Sequence, residues 1–229
     1  MRNRHFGAVC AILAAIITIT SIAIIKRNTE QFANFVGFIP VVIDAGHGGG
    51  DPGKVGRIAH ESELNLVIAQ KVAEKLSLRG FFVIYTREDM DGLVEVGKNW
   101  VKKVDNSMRR EIIDRSNAAL MVSIHQNAHP NASSKGAQIF YNDCLEENKI
   151  LADILQRKLA EVSEFENKRL PVCNNEYFIL KGNTMPSCTI ECGFLTNKYE
   201  EELLNNPQYQ DRIAEAIYLG ILEYFSLSP

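Results

Sequence analysis

From residue 40 onward the chain alternates between two hydrophobic rhythms. Residues 41–45 form a short apolar run that breaks off in glycines, the signature of a buried strand. Leu64, Ile68, Val72 and Leu76 then recur every fourth position within residues 61–79, which predicts a helix that Gly80 closes. The same reading gives a strand over 81–86, a helix over 108–117, and strands over 119–124 and 136–141. Residues 145–162 are amphipathic, 177–181 and 188–191 read as extended, and 207–225 as a last helix. Strands interleaved with helices predict one three-layer α/β domain over 40–229, with a mostly parallel, twisted sheet and helices on both faces. In such sheets, sites lie at the carboxyl ends of the strands.

The amino terminus has no such rhythm. Arg2 and Arg4 precede an uncharged run over 6–25, which Lys26 and Arg27 close. That run is long enough to cross a bilayer as a helix. No small-x-small cleavage site stands before Lys26, so residues 1–27 read as a membrane anchor in preference to a cleaved signal sequence, and 28–39 as a linker. Cys10 falls within the run and reads as a membrane residue. Basic residues flank both ends, so charge alone does not fix orientation, and the enzyme-like body argues for the outside.

Composition narrows the functional classes. With 46% hydrophobic and 23% charged residues and a net charge of -3, the chain is ordinary globular material and lacks the basicity of a nucleic-acid binder. Cys144, Cys173, Cys188 and Cys192 contain no CxxC pair, which argues against a disulfide scaffold. Cys188 and Cys192 share a face if their segment is a strand, and are expected in the core.

Two histidines end predicted strands: His47 in GHGGGDPG and His125 in SIHQNA. Both should open onto one crevice, where the glycines around His47 leave room for a metal or substrate. Glu61, at the start of the long helix, is the natural third ligand, although an acid in a first turn also complements the helix dipole. His60, Glu63 and His129 compete for the role on spacing alone. Three such ligands leave a fourth zinc position for water, the arrangement of a catalytic site. Glu191 ends an apolar strand in CTIECGFLTN, where a carboxylate is costly unless paired or next to metal, and amide hydrolysis needs such a proton-transfer group.

Taken together, GHGGGDPG, Glu61 in ESELNL, SIHQNA and MPSCTIECGFLTN resemble, in order and over about residues 41–225, the N-acetylmuramoyl-L-alanine amidases of the amidase 3 family, which cleave bacterial peptidoglycan. The resemblance implies zinc on His47, Glu61 and His125 and a general base at Glu191. Within the family the likeness is to sporulation amidases that remove stem peptides so that muramic-δ-lactam can form in spore cortex, which implies action outside the cytoplasm, in the forespore intermembrane space. Apart from the resemblance, a site with only three protein ligands can be left short of zinc, and an activator protein that stiffens it would raise its occupancy. Ala119 stands where the family commonly has aspartate. Residues 88–106, with Trp100, read as a loop beside the cleft in which Trp100 could stack on a sugar; Asn127 could bond substrate, and Arg109 and Arg115 brace their helix or pair with acids. The rival readings are another zinc peptidase or deacylase, and an inactive peptidoglycan-binding relative.

Overall fold

The computed structural model describes residues 38–94 and 102–227. The expected anchor and Trp100 lie outside these residues. No helix among the described residues is long and apolar enough to cross a membrane.

The strands are β1 (Pro40–Ala45), β2 (Phe82–Tyr85), β3 (Leu120–Asn127), β4 (Gln138–Tyr141), β5 (Val172–Cys173) and β6 (Ser187–Phe194). The helices are α1 (Glu61–Leu78), α2 (Lys102–Arg115), α3 (Glu146–Glu161), α4 (Lys198–Leu204) and α5 (Pro207–Leu227), with a 3₁₀ turn at Phe178–Leu180. The strands form one six-stranded sheet in the order β2-β1-β3-β6-β4-β5. The first four positions in that order are mutually parallel, as the alternation of strands and helices predicts.

The remaining two are the exception within a sheet that is mostly parallel, as expected. β4 runs antiparallel to β6 and β5 follows β4, so the sheet is mixed. The reason is the connection: no helix lies between β3 and β4, and without a helical crossover the chain returns in the opposite direction. Three further differences concern local structure. α2 starts at Lys102, six positions ahead of its expected start at 108; the segment expected as extended at 177–181 holds the 3₁₀ turn; and α4 was not foreseen.

Period-two alternation sorts the sheet into two unlike faces. Val41, Ile43, Leu120, Val122, Ile124, Cys188, Ile190 and Cys192 point into the main core, which α1, α3 and α5 cover. Both cysteines are therefore core residues, as expected, whereas Cys144 and Cys173 are exposed. The intervening residues include Asp44, Ser123, His125, Ser187, Thr189 and Glu191, and α2 covers this side with a small apolar cluster around Ile113, Met121 and Leu180. The polar face of the sheet is the face that carries the site.

Candidate active site

The site is assembled where β1, β3 and β6 end. After Ala45 the chain turns sharply, with His47 at φ 62, a left-handed conformation rare for a residue other than glycine. Reciprocal backbone bonds between Gly48 and Asp51 close the turn, and the His47 carbonyl accepts from the Arg109 guanidinium. The turn also brings the Asp51 carboxylate to His47, with Nδ1 to Oδ2 at 2.7 Å, which leaves Nε2 facing Glu61 Oε1 at 3.1 Å. Lys102, at the start of α2, holds the same Asp51 oxygen at 2.7 Å.

His125 stands at the end of β3, and its Nδ1 is 2.9 Å from the same Glu61 oxygen. Beyond His125 the register of β3 against β6 slips, and the Gln126 N–H is turned to donate to Glu61 Oε1 at 3.2 Å. The other Glu61 oxygen accepts from the Lys54 N–H at 2.8 Å. One turn along α1, Asn65 donates to the Gly46 carbonyl at 3.0 Å and accepts from the Gln126 side chain at 3.2 Å. Close approach requires two of the glycines. A Cβ on Gly46 would lie 2.2 Å from the His125 ring, and one on Gly53, at φ +66, would lie 2.6 Å from the Glu61 carboxylate.

Charge in this cluster is strongly shaped. Burial opposes ionisation of Glu61, but hydrogen bonds from His125 and His47 and their charges outweigh it and hold the carboxyl well below its ordinary range. Burial likewise opposes the charged form of His125, yet Glu61 raises its pKa overall. Glu191 pairs in register with His125 across β3 and β6. It is buried, its Oε2 has no hydrogen-bond partner among the described residues, and burial pushes its pKa up to about 7 against the pull of His125. The Tyr177 hydroxyl lies beside it; burial and then the charge of Glu191 push that phenol up.

These groups line one cavity of about 390 Å³, walled on one side by Tyr177, Phe178 and Ile179 and on another by Lys102 and Asn106 of α2. One donor atom each from His47, Glu61 and His125 lies within 4.8 Å of the others. Tetrahedral zinc with bonds of about 2.0–2.1 Å separates its ligands by about 3.3 Å. The two Glu61 contacts are already near that spacing, and an ionised carboxylate beside an orphaned buried one suits a cation, so the residues fit the metal.

His60 and Glu63 stay outside the cavity: the Glu63 carboxylate accepts the His60 N–H at 3.1 Å and caps α1. His129 is turned away, bonded to Ser134 and Asn131. Asn127 lines the cavity, while Arg115 is exposed and pairs with Glu111. Arg109 pairs with Asp44 at 2.9 Å and Asp105 at 2.7 Å, the bracing expected of it. Asp51, Asn65, Gln126 and Tyr177 escaped the sequence reading. Asp51 was visible inside GHGGGDPG, but Tyr177 had no signal, because its approach to Glu191 depends on the 3₁₀ turn.

Comparison with known proteins gives this geometry a lineage. Residues 41–223 match the Amidase_3 family, N-acetylmuramoyl-L-alanine amidase. The chain belongs to this family. It is 37% identical over 189 residues to the germination-specific N-acetylmuramoyl-L-alanine amidase of Bacillus subtilis, covering 81% of this chain and 79% of that protein. The CwlD amidase from Clostridioides difficile, solved in complex with the GerS lipoprotein, superposes with a TM-score of 0.78 at 38% identity, covering 83% of this chain and 100% of that one. An N-acetylmuramoyl-L-alanine amidase from Clostridium difficile 630 superposes at 0.72 and 31% identity, covering 84% and 99%. The chain is thus a peptidoglycan amidase by family. Ala119 precedes the first residue of β3, at the end of the strand opposite His125, and so stands apart from the cluster.

Proposed function

We propose that this amidase is zinc-dependent, with His47, Glu61 and His125 as the metal ligands and Glu191 as the proton-transfer group, and that it removes stem peptides from muramic acid in spore cortex. The observation that carries the reading is the convergence of two imidazoles and an ionised carboxylate opposite a buried carboxylate whose Oε2 has no partner. Zinc in such a site retains an open position for water, lowers that water's pKa to about 7 and polarises an amide carbonyl.

The protein groups supply the rest. Glu191 faces the cavity beside the ligands, where it can take the proton of the attacking water and return it to the amide nitrogen as the bond to muramic acid breaks. Its pKa near 7 suits a group that must hold a proton and release it in one cycle. Asp51 fixes the His47 tautomer so that Nε2 is the donor nitrogen, and the backbone N–H groups of Lys54 and Gln126 orient Glu61. The Tyr177 hydroxyl bears on Glu191 from the wall of the cleft.

The spore-cortex role rests on the germination-specific relative and the CwlD structure. The complex of CwlD with a lipoprotein supports a similar partner here, one that favours zinc loading. Residues 1–27 would then hold the enzyme at the membrane or export it, and 28–39 would link them to the catalytic domain over 40–229. The full-length protein in detergent, incubated with denuded peptidoglycan with and without zinc, tests the reading by mass spectrometry. Zinc-dependent release of intact stem peptides, lost in Glu191→Ala, is expected. Cleavage within the peptide would make the enzyme a peptidase, and release that persists with zinc stripped would remove the metal from the mechanism.

A further inference from the structure

Beside the catalytic cavity runs a second groove, of about 530 Å³, lined among others by Lys54, Arg57, His129, Thr196, Lys198 and Glu201. The linings meet along the chain, with Ala128 in the cavity and His129 in the groove. The Lys54 N–H holds the Glu61 carboxylate, while its side chain borders the groove.

The groove is built and positively charged. Glu201, 2% exposed, accepts the Ile58 N–H at 2.7 Å and a contact from Arg57 at 3.6 Å, so it is committed to the 56–58 loop. Arg57 is further shared with Glu202 at 3.1 Å. The opposite rim is fixed by the His129 N–H on Thr196 Oγ1 at 3.0 Å and by Asn197 on the Ala132 carbonyl at 3.0 Å. Among the described residues the side-chain amines of Lys54 and Lys198 have no such partner: both residues are exposed, and neither amine enters an ion pair or side-chain hydrogen bond there. In a chain of net charge -3, two unpaired lysines at one groove make a local site for anions.

The wall of the catalytic cavity over residues 177–179 differs in kind. Tyr177, Phe178 and Ile179 form an apolar wall there, and the nearby Lys102 is already taken by Asp51. The scissile amide joins halves of matching character, a neutral sugar and a peptide bearing free carboxylates. We propose that the Lys54–Lys198 groove is the subsite for the carboxylates of the stem peptide, which orients the substrate with its peptide across Lys54 and its sugar against the aromatic wall. This inference rests on the amidase reading.

The test compares two soluble muropeptide substrates, one with free stem carboxylates and one with the same carboxylates amidated, using full-length zinc-loaded protein. Replacing both lysines, as Lys54→Ala with Lys198→Ala, is expected to lower kcat/KM about tenfold on the charged substrate, chiefly through KM, and several-fold less on the amidated one. Added salt should erode the preference of the native protein for the charged substrate. The arginine pair, Lys54→Arg with Lys198→Arg, should keep most of that preference. Equal losses on both substrates, or no loss on either, would overturn the assignment while the amidase reading stands. A native protein that releases peptide from neither substrate would sink the amidase reading and the groove with it.

Discussion

Glu191 is held against its own charge, and the metal-free protein should register the cost. Burial lifts its pKa from 4.5 to about 7. The folded state therefore binds this proton more tightly than the unfolded chain, and stability falls as pH rises through the window between those two values. At roughly 1.4 kcal/mol per pH unit, the ionised carboxylate costs on the order of 3 kcal/mol once both states have lost the proton. Glu191→Gln keeps the shape of the protonated side chain and removes the charge. With zinc stripped, the variant should be more stable than the native protein at about pH 8, by on the order of 3 kcal/mol or about 8 °C in Tm. At about pH 4, where native Glu191 is protonated both folded and unfolded, the advantage should vanish. Circular-dichroism melts in chelator across this range are the assay. Equal Tm values at high pH, or a gain that persists in acid, would refute the argument that burial strains this carboxylate. The same variant should lose activity by about 10²–10⁴-fold, since it cannot accept a proton.

Among the described residues Arg109 is the only cation in contact with the buried Asp44 and Asp105 carboxylates, so Arg109→Met should cost about 3–5 kcal/mol in urea unfolding at neutral pH. Asp44 is held below its ordinary range despite burial, by Arg109 first and then Ser123 and Thr86; that contribution is present above the unfolded pKa and lost as pH falls, so the penalty should shrink in acid. Asp51→Ala frees His47 to rotate and should weaken zinc binding about 10- to 100-fold, read by competition with a chromophoric chelator. Gly46→Ala places a methyl 2.2 Å from the His125 ring and should abolish zinc binding; tight binding in that variant would mean that the ring is not fixed where β3 leaves it.

Much of this site was legible before any coordinates, because its parts sit where strand periodicity stops. His47 and His125 follow buried runs, Glu61 opens a helix with a clean four-residue repeat, and Glu191 is an acid inside an apolar strand. Choosing Glu61 over Glu63 or His60 was beyond spacing alone, since the choice depends on which of them the capping interaction takes up. α2 is less legible. Its inward stripe is Asp105, Arg109 and Ile113, two charges and one isoleucine, so a search for apolar recurrence finds only its second half. The direction of β4 escaped for another reason: alternation along a strand is the same in both senses, and only the connection reveals which is used.

That charged stripe has a consequence for how the molecule comes apart. α1 buries ten residues, eight of them other than acids and asparagine, whereas α2 is fastened by one isoleucine and a set of polar contacts. Elements with few buried apolar contacts belong to the low-stability end of a protein's opening events. α2 is then the cooperative unit that detaches first on warming, taking Lys102 and Asn106 from the cleft and Arg109 from the His47 turn while the main core holds. Amide hydrogen exchange should find α2 opening ahead of α1, α3 and α5, and the enzyme should lose its function below the temperature at which it unfolds; uniform protection across the four helices would refute this.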